Sequence, residues 1–441
     1  MKQELDRRIG EMEEELIRWR RDLHRYAEPG WMEMRTSSKI ARFLEECGYE
    51  VLTGKQVCLE FARMGLPSKE ALEEHFQWAK DHGADPQYLE ATRGGFTGVI
   101  GILHCGDGPT AALRFDIDAL GVYENKENHF PAAQGFASCT DGVMHACGHD
   151  GHMTIGLGTA RFLSEIKDKL QGTVKIIFQP AEEGVRGAKS IVEHGHLDHV
   201  DYILGSHLSA SVDGKCHISP GKAGTFATTK LDVIFRGKAS HAGISPQEGN
   251  NAMLAAASAV LNLQAIPRHQ MGSSRINVGT LHAGTGRNVI CDRAKMELEV
   301  RGETTEINAY MEQYARRIIK GAADMHGCNV EIQVAGSSDA IECSPEFVEI
   351  IRKICAEKLD ISVIDPTDLG GSEDFAYMTG HVIRQGGQAC FTGIDVPCEG
   401  PFHSSGFDFD ERALKLGVKY YCGVVAELLK KPAGTPEAFL K

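Results

Sequence analysis

Short apolar runs that alternate with helical patterns constrain the fold of this 441-residue chain more than any other feature. Four runs, each followed by polar residues or glycine, are typical of strands: 96–103, 110–115, 174–178 and 202–205. Helical patterns at 154–170 and 188–194 separate the last three runs. This alternation predicts an α/β sheet with both faces covered, whose functional groups lie just beyond the carboxyl ends of the strands.

A second pattern begins near residue 225. It reads strand, helix, strand, strand, helix, strand over 228–236, 250–266, 275–282, 295–301, 306–326 and 329–334. This order is typical of a self-contained ferredoxin-like unit. Because 441 residues exceed one compact core, we expect two domains. The larger α/β domain is predicted over 1–224 and 337–441, and an α+β domain is predicted to be inserted over 225–336.

Helical spacing of apolar residues also predicts helices outside these two sets. They lie at 5–26, 37–47, 344–359 and 411–430. The segment 49–95 has a mixed pattern and carries one further helix near 68–83. We interpret it as an insertion next to the first strands.

Composition excludes two classes of function. The net charge is −14 without a Lys/Arg tract, so a nucleic-acid partner is not expected. No apolar run approaches the length of a membrane span, and the charged N-terminus does not resemble a signal peptide. The 13 cysteines are odd in number and lack the spacing of a disulfide framework, which predicts free thiols in a cytoplasmic protein.

The segment Met144-His-Ala-Cys-Gly-His-Asp-Gly-His152 concentrates metal-binding side chains. It places His145, Cys147, His149 and His152 within eight residues that also contain two glycines, a pattern that neither a core nor a solvated loop requires. A thiolate and an imidazole two residues apart can face one ion. The alternative is a buried cysteine beside surface histidines. Asp150 is expected to orient a ligating imidazole.

A carboxylate pair follows one of the predicted strands, in Phe178-Gln-Pro-Ala-Glu-Glu-Gly184. Adjacent side chains on a loop can diverge, so one glutamate could bind metal while the other acts as a base. The alternative is a solvated acidic pair at a helix start. Together with the metal-binding segment, the pair suggests a metal-activated hydrolase.

Three isolated histidines are weaker candidates. His207 follows the strand pattern at 202–205, and His403 lies in Pro401-Phe-His-Ser-Ser-Gly406. Each would usually be structural, but a two-ion site needs more ligands than one loop supplies. His241 belongs to the predicted inserted domain. It can reach the metal loop, the segment 144–152, only if domains or subunits close on each other. The run His194-Gly-His-Leu-Asp-His199 matches a metallo-β-lactamase-like ligand pattern, but it follows a helical pattern and is rejected.

The chain resembles the aminoacylase/carboxypeptidase-G clan of di-metal peptidases, nearly end to end. Within it, the chain is most similar to the amidohydrolase branch of hippurate and indoleacetyl-amino-acid hydrolases, and especially to the A-type chains of aminobenzoyl-glutamate hydrolases. Besides the two segments already quoted, the resemblance depends on Trp19-Arg-Arg-Asp-Leu-His24, Phe115-Asp-Ile-Asp-Ala-Leu120, Ser240-His-Ala-Gly243, Gly286-Arg-Asn-Val289, Gly371-Ser-Glu-Asp374 and Phe407-Asp-Phe-Asp410. Ser404-Ser405-Gly406 departs from the branch, which usually shows a proline and a charged residue there.

The resemblance implies a zinc-peptidase-like α/β catalytic domain with an inserted ferredoxin-like domain that serves as dimerisation domain and lid. It implies two divalent ions, Mn²⁺ or Zn²⁺, held by Cys147, His149, Glu183, His207 and His403. It implies Glu182 as the catalytic base, His241 as an oxyanion donor reaching the partner's site, and Asn288 and Arg301 as substrate-binding residues. Asp116 and Asp150 are expected to hold the ligand side chains in position without binding the ions themselves.

The implied reaction is hydrolysis of the amide bond of an N-acyl amino acid, with p-aminobenzoyl-glutamate as the leading substrate, giving p-aminobenzoate and glutamate. An N-acyl-amino-acid deacylase or a dipeptidase of the same chemistry is the alternative. The implied assembly is a homodimer or a heteromer with a paralogous B-type subunit. In the latter case the chain could be inactive without its partner.

Overall fold

The computed structural model describes residues 2–222, 224–367 and 370–431. The α-helices are α1 Lys2–Glu11, α2 Glu13–Arg25, α3 Met34–Glu46, α4 Lys69–Asp81, α5 Pro86–Leu89, α6 Phe130–Ala133, α7 His149–Glu165, α8 Ala188–Val192, α9 Ala252–Gln264, α10 Thr305–Met325, α11 Pro345–Lys353, α12 Phe375–Arg384 and α13 Arg412–Leu428. The strands are β1 Glu50–Thr53, β2 Val99–His104, β3 Thr110–Asp116, β4 Thr173–Gln179, β5 Tyr202–Ala210, β6 His217–Pro220, β7 Ala227–Arg236, β8 Ser274–Ala283, β9 Arg293–Gly302, β10 Asn329–Ser338, β11 Gln388–Val396, β12 Cys398–Glu399 and β13 Asp408–Phe409. The predicted α/β domain also included residues 1, 223, 368–369 and 432–441, which lie outside the described residues.

A seven-stranded sheet with the order β1-β2-β4-β3-β5-β11-β6 forms the centre of the larger part of the fold. The strands β4, β3, β5 and β11 are parallel to one another, and β1, β2 and β6 add antiparallel edges. One face packs against α7 and α13 through residues such as Phe115, Ile155 and Val418. The other face packs against α8 and α12 through Ile177 and Phe375. The predicted α/β class with two covered faces is confirmed.

A separate antiparallel sheet with the order β10-β7-β9-β8 forms the smaller part. Its elements follow the chain order β7-α9-β8-β9-α10-β10, as the sequence pattern predicts. One face buries Val233 and Met296 against Ala256 of α9 and Ile319 of α10. The sheet runs from Ala227 to Ser338, close to the predicted boundaries 225 and 336, which stay a prediction.

The segment 49–95 adds an edge strand and two helices beside the larger sheet. Its strand β1 pairs with β2. Its helix α4 begins after Ser68, whose side chain accepts a hydrogen bond from the backbone N–H of Ala71 at 3.1 Å. Leu72 and Phe76 pack with Met34 of α3 in a small apolar cluster.

Several helices differ from their predicted limits. The predicted helix 5–26 is broken at Met12 into α1 and α2, and the predicted helix 344–359 changes to a π-helix at Ile354–Leu359. The elements α12 and β11 were not predicted, because Gly380 lies inside the helix and Gly386 and Gly387 precede the strand. None of the described helices has both the length and the apolar character needed to cross a membrane.

Candidate metal centre and substrate cavity

The carboxyl ends of β3, β4 and β5 bring the predicted site residues to one edge of the larger sheet. Glu182 and Glu183 follow β4, and the loop before α7 carries Cys147 to the same edge. His207 lies inside β5 and not after it, because the pairing of β5 with β11 continues to Ala210. The expectation that His207 follows its strand is thereby corrected.

Two groups of three ligand atoms share Cys147. The first consists of Cys147, His149 and His207, and the second of Cys147, Glu183 and His403. The Sγ atom of Cys147 lies 3.4 Å from Nε2 of His207 and 3.3 Å from Nε2 of His403. The Nε2 atom of His403 is 3.6 Å from Oε1 of Glu183. The five predicted ligands therefore converge as two sets around one sulfur atom.

The backbone of the metal loop is specialised for this geometry. Gly148, between the ligands Cys147 and His149, has a φ of 82° and precedes α7 directly. A Cβ atom there would lie 2.8 Å from Cδ1 of Leu208. His403 also has a positive φ, 64°, and its backbone N–H donates to the carbonyl oxygen of Ala146 at 2.8 Å. Both loops that carry proposed metal ligands thus contain a backbone conformation that few residue types adopt readily.

Backbone carbonyls orient two of the ligating imidazoles. Nδ1 of His149 donates to the carbonyl oxygen of Asp118 at 2.9 Å, and Nδ1 of His207 donates to that of Leu208 at 2.6 Å. These bonds fix the tautomer in which Nε2 of each ring has a free lone pair. Both Nε2 atoms lie toward the shared cysteine.

Asp118 also positions the glutamate pair. Its carboxylate accepts the backbone N–H of Glu182 at 3.0 Å and that of Glu183 at 2.9 Å. One residue thus holds the peptide of the proposed base, that of a proposed ligand, and the ring of His149. This role was missed in the sequence, although Asp118 belongs to the motif Phe115-Asp-Ile-Asp.

The two aspartates expected behind the ligands differ in their contacts. Asp116 bonds Nδ1 of His152 at 2.5 Å, and Nε2 of that ring accepts the backbone N–H of Leu208 at 2.9 Å. Asp116 therefore supports the end of β5 through His152. The structure corrects the expectation for Asp150, whose carboxylate bonds Arg20 and His24, both at 2.9 Å, and not a ligating imidazole.

Acidic groups are crowded together in the buried centre. Burial raises the pKa of the Cys147 thiol well above its usual value, and Glu183 and Glu182 add to this. Burial also raises the pKa of Glu183 to about 7, with His149 opposing the shift. The pKa of Glu182 is raised well above its usual value by burial and by Glu373. Protein groups alone leave these anionic forms under-compensated.

The donor set fits divalent cations. Nε2 of His149 and Oε1 of Glu183 are buried, lie 4.0 Å apart and have no hydrogen-bond partner among the described residues. Buried polar atoms of this kind normally have a partner. Thiolate and imidazole donors suit zinc, while carboxylates also suit manganese. A cation between these atoms would bond to both and would stabilise the ionised forms of the neighbouring acids.

A cavity of about 610 Å³ opens from this centre. It is lined by Cys147, Glu182 and Arg301, and by two lysines that were not predicted, Lys222 and Lys230. The Nε and Nη2 atoms of Arg301 bond Glu299 at 3.0 and 3.1 Å. Among the described residues, Nη1 of this guanidinium has no hydrogen-bond acceptor.

His241 and Asn288 lie away from this cavity. Both are exposed on the smaller part of the fold. They are near each other. His241 and Val289 form an isolated antiparallel β-bridge, and the backbone N–H of Ala242 donates to the carbonyl oxygen of Asn288 at 3.0 Å. Within one chain, the structure does not bring this pair together with the metal centre.

The rejected histidine run has a structural role. Nε2 of His194 bonds the carbonyl oxygen of Lys55 at 3.1 Å, and that of His196 bonds the carbonyl oxygen of Gln56 at 2.7 Å. Burial lowers the pKa of His196 to about 4. These rings attach the 49–95 segment to the larger sheet.

Comparison with known proteins identifies the family. The sequence model of peptidase family M20/M25/M40 matches residues 112–427, which include all five predicted ligands and Glu182. The chain belongs to this family. It is therefore a hydrolase of amide bonds, as the resemblance implied.

Two curated relatives match almost the whole chain. Indole-3-acetyl-aspartic acid hydrolase of Enterobacter agglomerans is 43% identical over 419 residues, covering 94% of this chain and 96% of the relative. The A-type chain of p-aminobenzoyl-glutamate hydrolase from Escherichia coli K12 is 41% identical over 419 residues, with the same coverage of 94% and 96%. The predicted resemblance to this amidohydrolase branch is confirmed.

Solved structures show the same fold. An aminobenzoyl-glutamate utilization protein from Klebsiella pneumoniae superposes with a TM-score of 0.82 at 36% identity, covering 96% of this chain and 98% of that one. The YXEP protein of Bacillus subtilis, described as a dinuclear metal binding peptidase, gives a TM-score of 0.65 at 27% identity and covers 95% and 99%.

Proposed function

We propose that this chain uses two divalent cations to hydrolyse the amide bond of N-acyl amino acids. The observation that carries the proposal is the position of Cys147 in two ligand groups, with Glu182 beside them. Oε2 of Glu182 lies 4.0 Å from Nε2 of His149, at the wall of the cavity. The arrangement would place a cation pair next to the carboxylate of Glu182, the combination that metal-assisted hydrolysis uses.

The cations would be held by Cys147 in common, by His149 and His207 on one side, and by Glu183 and His403 on the other. They are Mn²⁺ or Zn²⁺, since the donor set suits both. When bound, they supply Lewis acidity toward water and toward the scissile carbonyl. The dinuclear description of the Bacillus subtilis neighbour supports a pair of ions.

Glu182 is proposed to move the proton. It takes a proton from the attacking water at its carboxylate and returns it to the leaving nitrogen. Asp118 holds the Glu182 peptide, so the position of the base is coupled to that of the ligand Glu183. The Nη1 group of Arg301 would bind the α-carboxylate of the substrate, which favours a terminal amino acid over an internal peptide bond.

A partner subunit would complete the site. His241 and Asn288 lie together on the exposed surface of the smaller part, away from the cavity of their own chain. We propose that they reach the cavity of a second subunit, where His241 stabilises the oxyanion. The second subunit is this chain itself or a paralogous B-type chain, a choice suggested by the name of the Escherichia coli relative, which is one component of its enzyme.

A cytoplasmic location fits the free thiols of all 13 cysteines.

We propose p-aminobenzoyl-glutamate as the leading substrate and indoleacetyl-aspartate as the second, from the names of the relatives. The test is a panel of these two compounds, N-acetyl amino acids and dipeptides, assayed with the purified chain and Mn²⁺ or Zn²⁺. We expect hydrolysis of p-aminobenzoyl-glutamate and indoleacetyl-aspartate, and we expect a chelator to abolish this activity. No turnover with either metal, alone or with a B-type chain, would contradict the proposal.

A further inference from the structure

The cavity contains a buried lysine that the proposed mechanism does not use. Lys222 is 2% exposed and lines the cavity, where its ammonium donates to Oγ of Ser209. Ser209 lies two residues after the proposed ligand His207 on β5. Side chains two residues apart share a face of a strand, so Ser209, which the ammonium contacts, lies about 7 Å along β5 from His207.

Lys222 lacks an anionic partner among the residues that the structure describes. None of their carboxylates lies within 4.0 Å of its ammonium. Burial lowers the pKa of Lys222, while the more distant Asp395 raises it. Asp395 itself accepts the hydroxyl of Ser219 at 2.5 Å. An ammonium has three donors, and a buried cation is costly unless it is paired.

The other two cations of the cavity are partly neutralised. Arg301 forms two hydrogen bonds with Glu299. Lys230 lies opposite Glu299 in the pairing of β7 with β9, and this carboxylate raises the pKa of Lys230 against the effect of burial. Arg301 belongs to the smaller sheet and Lys222 follows β6 of the larger one. Positive groups therefore line one cavity from two walls, one contributed by each part of the fold.

We propose that Lys222, assisted by Ser209, binds the side-chain carboxylate of an acidic amino acid and so makes the enzyme selective for N-acyl-glutamates and N-acyl-aspartates. This inference rests on the proposed function. Arg301 then binds the α-carboxylate, and the two carboxylates of the substrate match the two walls. A neutral side chain in the same position would leave the buried ammonium unpaired, which is an effective way to reject the wrong substrate.

The test compares N-benzoyl-glutamate with its neutral analogue N-benzoyl-glutamine. The wild-type enzyme should prefer the glutamate compound about 10- to 100-fold in kcat/KM, the range for a charge-assisted hydrogen bond. Lys222→Met should remove this preference by raising KM for the glutamate compound alone. Lys215→Met is the matched control, because its side chain is 76% exposed on the connection before β6, and it should keep the wild-type preference.

A wild-type ratio of kcat/KM near one for the two compounds would overturn the proposal. So would an equal loss of kcat/KM for both compounds in Lys222→Met, or a preference for the glutamate compound that survives in this variant. If Lys222→Met does not fold, Ser209→Ala takes its place and should lower kcat/KM for the glutamate compound only. Calorimetric binding of L-glutamate and L-glutamine tests the pocket without turnover. A chain that binds glutamate selectively through Lys222 but hydrolyses nothing contradicts the proposed function and not this inference.

Discussion

Replacing Asp118 with asparagine tests whether its carboxylate positions the glutamate pair for metal binding. The native carboxylate accepts two backbone N–H groups, from Glu182 at 3.0 Å and from Glu183 at 2.9 Å. Asparagine has nearly the same size, but its amide group has only one acceptor atom. One of the two N–H groups would therefore face an NH₂ group and lose its partner.

The expected cost is about 1–3 kcal/mol, the penalty for a buried donor left without an acceptor. This free energy corresponds to about a 5- to 150-fold loss of metal affinity if the whole penalty acts on the geometry of Glu183, since about 1.4 kcal/mol is tenfold. We expect Asp118→Asn to bind metal that much more weakly. The assay is competition with a chromophoric chelator, together with thermal unfolding of the metal-free protein.

Asp150→Asn is the matched control, because Asp150 is equally buried but bonds Arg20 and His24. It should lower the unfolding temperature and leave metal affinity unchanged. The reasoning is refuted if Asp118→Asn binds metal as tightly as the wild-type protein. It is also refuted if Asp150→Asn weakens metal binding to the same degree, since the effect would then reflect general destabilisation.

Three further results are expected. Glu182→Gln should retain metal but lose about 10²- to 10⁴-fold in kcat, the usual contribution of a general base. Steady-state kinetics with metal analysis checks this, and a near-normal rate would show that another group is the base. Subunits carrying His241→Ala or Glu182→Gln should each be inactive alone. In the proposed homodimer, about a quarter of the sites should regain activity after the two variants are mixed and re-associated, because random pairing joins an intact Glu182 with the partner's intact His241 in that fraction of sites. Absence of recovery in confirmed mixed dimers would place His241 outside the partner's site. Gly148→Ala should destabilise the protein by about 1–2 kcal/mol, because an alanine at a φ of 82° is strained and its Cβ would press on Leu208. Urea unfolding measures this, and an unchanged midpoint would contradict it.

The grouping of the proposed metal donors on the loop before α7 and after β4 was predictable from sequence, because packing alone does not explain residues of this chemistry at these positions. Thiol and imidazole groups crowded into the segment 144–152, followed by Glu182 and Glu183 after an apolar run, have no role in packing a core. The positions of β3, β4 and β5 were predictable for a related reason. Strands buried on both faces consist of short apolar runs, and the runs 110–115 and 174–178 end one residue before β3 and β4 do. The run 202–205 marks only the first half of β5, which continues to Ala210.

The supporting contacts were not predictable, because they depend on where helices begin. Asp150 was expected to orient an imidazole, but α7 begins at His149 and places Asp150 in its first turn, beside Arg20. The carbonyl oxygen of Asp118 takes that role, and no side-chain pattern encodes a carbonyl contact. Lys222 gave no signal either, since a lysine close to glycines is typical of an exposed turn.

The most direct test of the account is the metal content of the purified chain and of its Cys147→Ala variant, measured by mass spectrometry after equilibration with limiting Mn²⁺ or Zn²⁺. Because Cys147 belongs to both ligand groups, we expect two ions per wild-type chain and the weakening of both sites together in the variant. The matched variant His403→Ala removes a ligand of one group only and should leave one ion tightly bound. A single ion in the wild-type chain, or two tightly bound ions in Cys147→Ala, would contradict the shared-sulfur centre.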